Sequence, residues 1–399
     1  MAADRSSNLA AGSLVGVMFI NMLGFGIIIP LLPFYGQALN ADPWQIALIF
    51  SAFSMGAFFG EPVWGRLSDR IGRKPLLLST VTGTMLCYLA LAFAPDIWTA
   101  FVIRFVGGAA SGNGSVMQGY IADVTAPEKR ARRLSWIGAS ASLGLVVGPS
   151  IGGIFAQTHA GPAGFRVPLL IAAGLSATCL VAIMLFIREP LRTREVRPHQ
   201  SRLEALGEVT SHPVIGRLML LTFLVGFAFT GIESVFGLWG EARFAWGPKE
   251  VGWCFAFAGA VSAVTQFFVT GPLSERFGEA RVLAAGMALT VLGCLGQIWS
   301  TGIAMTTVLL AVTALGQSVS WPNVGALISR NADPAKQGQV LGLNNATGAL
   351  ARFVGPLTAG LAFAHLSIDA PFVIAALIVA PAILLALSAA GRASGDQAR

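Results

Sequence analysis

Charge is scarce in this 399-residue chain. Only 11% of the residues are Asp, Glu, Lys or Arg, against 55% hydrophobic ones, a ratio that excludes a soluble globular domain. Histidine is nearly missing: His159, His199, His212 and His365 lie scattered in loops or near helix ends, so a histidine metal centre is not expected. The four cysteines, Cys87, Cys179, Cys254 and Cys294, all fall within apolar runs without metal-ligand spacing, which reads as packing rather than as disulfides or a metal site. A Walker-type nucleotide loop is absent and no nucleophile stands with a partner, so neither ATP-driven work, nor an enzyme, nor a cofactor is expected. The net charge of +7 does not point to nucleic acid, because the basic residues fall between apolar runs rather than in one patch.

What the chain does have is apolar length. A mean hydropathy of +0.71 and 47 glycines fit a polytopic all-α membrane protein. Twelve runs are long enough to cross ~30 Å of hydrocarbon, over 11–34, 44–65, 75–94, 98–122, 134–157, 165–187, 214–239, 248–271, 281–300, 303–329, 338–363 and 369–390. The N-terminus carries both Asp4 and Arg5, and the first apolar run continues to Pro33, too long for a signal-peptide core, so it is expected to stay as the first span. Threaded alternately, the runs put the 66–74 turn, Lys129 to Arg133, Arg188 to Arg202, Arg276/Arg281 and Arg330/Lys336 on one side. Only Arg166, Arg243 and Lys249 face the other. Both termini are therefore expected in the cytoplasm, of a bacterial inner membrane by composition. The polar stretch 188–213 separates a six-helix bundle (1–187) from a second one (214–399) with a short tail; it is either a solvated linker or a surface for anionic lipid. Nothing argues for an oligomer, so a monomer is expected.

The densest polar stretch is Gly65-Arg-Leu-Ser-Asp-Arg-Ile-Gly-Arg-Lys74. It returns in degraded form as Gly271-Pro-Leu-Ser-Glu-Arg-Phe-Gly-Glu-Ala-Arg281, with Gly65, Leu67, Ser68, Asp69, Arg70 and Gly72 matching Gly271, Leu273, Ser274, Glu275, Arg276 and Gly278 at one spacing. Gly148-Pro149 is likewise answered by Gly355-Pro356, and Pro127-Glu-Lys129 by Pro334-Ala-Lys336. The chain is an internal duplication. Two related halves facing each other suit alternating access around a site near the midplane.

These residues carry a resemblance. The 65–74 stretch resembles the signature loop of the major facilitator superfamily. Gly144-Leu-Val-Val-Gly148-Pro149-Ser-Ile-Gly152-Gly153 resembles the fifth-helix motif of its drug/proton antiporters. Arg104 with Gly107-Gly108 resembles the fourth-helix arginine motif, Tyr120-Ile-Ala-Asp123-Val-Thr its cytoplasmic end, and Asn21 to Pro33 the first helix of tetracycline-type exporters. The resemblance covers nearly the whole chain and implies twelve transmembrane helices in two pseudo-symmetric six-helix bundles, the major facilitator fold, with a small-molecule substrate and protons as partners.

Site residues follow from both readings. At the cytoplasmic ends, Gly65, Asp69, Arg70, Gly72, Arg73, Lys74, Arg104 and Asp123 are candidates for a gate. The resemblance implies that Asp69 also caps a helix of the second half near Gln339; on the plainer reading the basic residues only set topology. Gly144, Gly148 and Gly152, with Pro149 and Gly153, line one face of run five, where a neighbouring backbone can come close, as an antiporter motif or as ordinary small-residue packing. Ionisable residues inside spans are costly and usually functional, so Glu233, Arg352 and Glu61 are candidates for proton coupling. Phe229, Thr230, Phe236 and Gly237 share the Glu233 face. The alternatives for Glu233 are a static pair with Arg352 or direct substrate contact.

The first-helix aspartate of tetracycline exporters is Asn21 here, and two further acidic positions align with Cys87 and Thr290. A cationic metal chelate would lose its counter-charges. Polar candidates for a substrate cavity are Asn21, Asn113, Gln118, Gln317, Asn323, Asn344 and Asn345, with Phe25, Met117, Trp239 and Trp321 as apolar surface; interhelical bonding or packing is the alternative for each. The expected function is proton-coupled export of small amphipathic molecules. An uncoupled or symporting metabolite or sugar carrier of the same fold is the second reading, and a non-transporting membrane scaffold or sensor the third.

Overall fold

In the computed structural model, which describes residues 2–125, 127–189, 213–333 and 337–396, all twelve apolar runs are helical, and no strand occurs among the described residues. Run one is α1 (Ala2–Ile28) followed by the short α2 (Leu32–Ala38), bent by 45°. Pro30 lies in the bend, where its missing N–H removes one helical hydrogen bond. Runs two and three are α3 (Pro43–Ile71) and α4 (Arg73–Leu91). Run four, expected as one helix, is two: α5 (Ile97–Ala110) and α6 (Asn113–Val124). The chain turns extended at Ser111, whose N–H and hydroxyl both donate back to the Gly108 carbonyl, at 2.9 and 2.6 Å. Asp96 caps the start of α5 by accepting from Trp98 and Thr99, and those bonds hold its carboxyl below the usual carboxylate range.

Runs five and six are α7 (Pro127–Phe155) and α8 (Arg166–Phe186), joined through a 3₁₀ stretch, Thr158–Phe165. The second half follows as α9 (Pro213–Phe244), then α10 (Pro248–Val264), which passes through a π turn (Thr265–Val269) into α11 (Thr270–Phe277). It ends with α12 (Glu279–Ile298), α13 (Ile303–Asn331), α14 (Gln337–His365) and α15 (Ala370–Asp396). Among the described residues nine spans are long and apolar enough to cross a membrane, and the bent α1–α2 pair makes a tenth. The other two runs are the broken α5–α6 and α14, which carries Asn344, Asn345 and Arg352. Leu185, Phe268, Leu292 and Leu384 point outward, as lipid-facing side chains do.

The chain divides into two compact units, Met1–Glu195 with Gly240–Ala256, and Val196–Trp239 with Phe257–Arg399. In the first, Leu14 and Val17 of α1 join Leu77, Val81, Tyr120, Ile121, Cys179 and Ile183 in one buried core. In the second, α12 packs on α13 and α15, and the rings of Phe236, Trp239 and Phe372 form a buried aromatic cluster with centroids 5.2–5.9 Å apart.

Candidate functional site

The charged loop of the first unit is built around Gly72. Its φ of +118° suits glycine alone, and the turn brings Ser68 and Arg73 together across the junction of α3 and α4. Arg73 Nε donates to Asp123 Oδ2 at 2.9 Å, and its Nη1 donates to the Ser68 hydroxyl. A residue the sequence reading left in the linker completes the cluster. The Glu189 carboxylate accepts from the Arg73 N–H at 2.6 Å and the Lys74 N–H at 2.8 Å, so it caps the N-terminus of α4 where the helix dipole favours an anion. A methyl group at Gly72 would stand 2.7 Å from that carboxylate. Lys74 Nζ donates to the Met184 carbonyl, and the Tyr120 hydroxyl to that of Arg188, fastening the end of α8 to the same loop. Arg70 is exposed and Gly65 faces open space. The side chains of Asp69, Asn113 and Gln339, and residues 190–212 and 334–336, lie outside the described residues.

The second unit repeats the junction with opposite signs. Gly278 also has positive φ, +81°. Here Glu279, in the place of Arg73, accepts from Arg330 Nη1 at 2.8 Å, and the Ser274 hydroxyl donates to Asn323 Oδ1 at 2.8 Å.

The glycine stripe of run five faces α1. Added methyl groups at Gly144, Gly148 and Gly152 would stand 2.3–2.7 Å from the α1 backbone at Phe19, Leu23, Gly26 and Ile27, so the two helices touch main chain to main chain. Gly153 and Pro149 turn to α10 instead: a methyl at Gly153 would meet Pro248, and one at Gly252 would meet Pro149. In the second unit Gly355 stands at the same place against Phe227 and Thr230 of α9.

The ionisable residues inside the spans fall in two places. Arg104 stands about two turns into α5, with Phe53, Cys87 and Tyr88, apart from the Arg73–Asp123 cluster with which the sequence motif groups it. Glu233 is only partly accessible in α9, within electrostatic reach of Arg352 on α14. Trp321 of α13 joins them: a methyl at Gly348 would stand 3.1 Å from the Trp321 ring and 3.5 Å from Arg352 Nη1. Glu61 is exposed on α3.

The structure separates the substrate-surface candidates. Asn21 is buried, and Phe25 lies against Phe53 with ring centroids 5.4 Å apart. Met117 belongs to the core of the first unit. Trp239 is fully buried and donates its indole N–H to Asp369 at 2.8 Å. Gln317 donates to the Val225 carbonyl, and Asn344 accepts from the Thr222 hydroxyl at 2.7 Å. Gln118, Trp321 and Asn345 are exposed. Among the described residues no group of three or more His, Cys, Asp or Glu is placed to hold a metal.

A family model described as Major Facilitator Superfamily matches residues 14–247 and 218–397. The chain is 31% identical over 360 residues to the tetracycline resistance protein, class C, of Escherichia coli, covering 88% of this chain and 89% of that one. It is 25% identical over 375 residues to multidrug resistance protein 2 of Bacillus subtilis (strain 168), covering 92% and 91%. Among solved structures it overlays on the nucleoside transporter NupG with a TM-score of 0.81 at 12% identity, over 95% of this chain and 99% of that one, a likeness of fold. With two units of helices, a duplicated loop and these relatives, the chain belongs to the major facilitator superfamily, in its tetracycline-resistance group, and is a multi-pass membrane transporter of small molecules rather than an enzyme.

Proposed function

We propose that this transporter exports small amphipathic molecules in exchange for protons by alternating access, with Glu233 carrying the proton. The observation that supports this most is the placement of Glu233. Glu275, Glu279, Asp333 and Asp369 stand at helix ends or in loops, whereas Glu233 sits inside α9, partly accessible, with Arg352 as its neighbouring charge. Such a carboxylate alternates between pairing with arginine and carrying a proton, and proton binding releases the arginine for other contacts. The Arg73, Asp123 and Glu189 cluster serves in this reading as the cytoplasmic gate. Loop charge sets both termini in the cytoplasm of a bacterial inner membrane, and a monomer suffices.

The test is proton flux into dye-loaded proteoliposomes on addition of amphipathic cations, phenicols and sugars, with Glu233→Gln beside wild type. A substrate-triggered proton signal that falls at least about tenfold in the variant is expected, as for loss of a proton-transfer group. A second reading has its own support, since Asn21, Cys87 and Thr290 are uncharged at positions where the resemblance to tetracycline-type exporters implies membrane carboxylates. Substrate movement without protons, or a variant indistinguishable from wild type, makes Glu233 a static partner of Arg352 and the protein an uncoupled carrier.

A further inference from the structure

The charge of Arg104 has no answer in its own pocket. The side chain is 6% exposed, in the half of the first unit away from the charged loop. Its Nε has no hydrogen-bond partner among the described residues. The guanidinium lies over the face of Phe53, 4.6 Å from the ring centroid. Around it stand Thr84, Cys87 and Tyr88 of α4 and Gly107 of α5, none of them an acid. Thr84 already donates its hydroxyl to the Thr80 carbonyl. Arginine does not escape by giving up its proton, and an uncompensated cation inside a span is among the most expensive placements a membrane protein can hold. A cation–π contact offsets a minor part of that cost. The pocket is partly open, with room for about one water. That is enough for the tip of a carboxylate, not for a whole molecule. Beyond Phe53 lies Phe25, so an apolar body continues naturally from the charged end.

We propose that Arg104 is the recognition point for an anionic group on the transported molecule, with the Phe53 and Phe25 rings bearing its apolar part, so that the substrates are amphipathic carboxylates or comparable anions. The inference rests on the exporter reading above and narrows its substrate class. It runs opposite to a cationic chelate, which Arg104 repels.

Equilibrium binding to the purified, detergent-solubilised chain tests it, with three probes of one scaffold: 1-naphthoate, its methyl ester and 1-naphthylmethylammonium. Calorimetry on wild type is expected to rank the carboxylate at least about tenfold tighter than the ester, the size of one charge-assisted hydrogen bond, and the ammonium weakest. Arg104→Gln removes the preference, while Arg104→Lys keeps part of it. Cys87→Asp gives a check that keeps the arginine and so does not depend on the folding of Arg104→Gln. Cys87 is close enough to Arg104 to feel its charge, and an aspartate there supplies the missing counter-ion, so carboxylate binding falls without loss of the arginine. Cys87 also reports occupancy, being the half-buried cysteine while Cys179, Cys254 and Cys294 are buried. Naphthoate, and not its ester, is expected to slow alkylation of Cys87 by N-ethylmaleimide. Equal affinity for acid and ester, no carboxylate binding at millimolar concentration, or a preference that survives both Arg104→Gln and Cys87→Asp overturns the proposal. These measurements need no gradient. Failure of proton coupling leaves them intact, and failure of anion binding leaves the proton assay intact.

Discussion

The loops after Gly65 and after Gly271 are the same object built twice with the charges exchanged. Each passes between two helices through a glycine of positive φ, Gly72 or Gly278, and each ties the next residue to the end of a later helix. In the first loop Arg73 donates to Asp123 at 2.9 Å; in the second Glu279 accepts from Arg330 at 2.8 Å. Duplication kept the geometry and let the polarity go. The surroundings differ more than the pairs do. Arg73 and Asp123 are 11% and 27% exposed, whereas Glu279 is 19% and its partner Arg330 70% exposed, so the second pair opens to water on its arginine side, and among the described residues the Glu189 cap belongs to the first loop. A pair held away from water is worth more than one at the surface, where screening leaves about 0–1 kcal/mol.

The sharpest way to break the comparison is to add one methyl group to each turn. Gly72→Ala meets both an unfavourable φ and the Glu189 carboxylate 2.7 Å away, while Gly278→Ala meets the φ alone, with nothing within 4 Å. A loss of about 2–4 kcal/mol is expected for the first and about 1–2 kcal/mol for the second, read as the fall in apparent melting temperature of the purified proteins. Equal losses would mean that the cap contributes nothing. Next in size are the ion pairs. Asp123→Asn is expected to cost about 1–2 kcal/mol and Glu279→Gln less than about 1 kcal/mol. Copying the second polarity onto the first, with Arg73→Glu and Asp123→Arg together, should restore only part of the loss, because Glu189 then faces a second carboxylate. Full recovery would show that the two sites are interchangeable. The smallest effect is expected from Glu189→Gln, about 0.5–1 kcal/mol for a weakened cap. Hydrogen exchange should rise at the Arg73 and Lys74 amides and stay unchanged at the start of α12; a rise at both would detach Glu189 from the difference between the loops.

Much of this was legible in the chain itself. Apolar length located all twelve runs, because a span must be long and nearly uncharged whatever its neighbours. The repeat of Gly72 as Gly278 was visible as well. The breaks were not read: Ser111-Gly-Asn-Gly-Ser115 carries a turn composition inside run four that a criterion of apolar length passes over, and the π turn at Thr265–Val269 has no such mark, since membrane helices tolerate it. Sequence also hides which apolar face meets protein and which meets lipid. Met117 and Trp239 therefore looked like cavity surface and stand in cores. Glu189 was missed for another reason, lying more than a hundred residues from the amides it caps. The correspondence of Arg73 with Glu279 was not among the matched positions of the two loops, because a reversed ion pair is recognisable only when both of its ends are seen.

The seam between α1 and α7 has a consequence for how this protein can vary. Where Gly148 lies against Gly26, both partners are already the smallest residue available. Every missense change on either side adds atoms, and no second change opposite can take them away. Such a site has no compensating route, so variation there must be removed rather than repaired, and lineages of this transporter should drift freely on the lipid-facing side of α7 while its α1-facing side stands still.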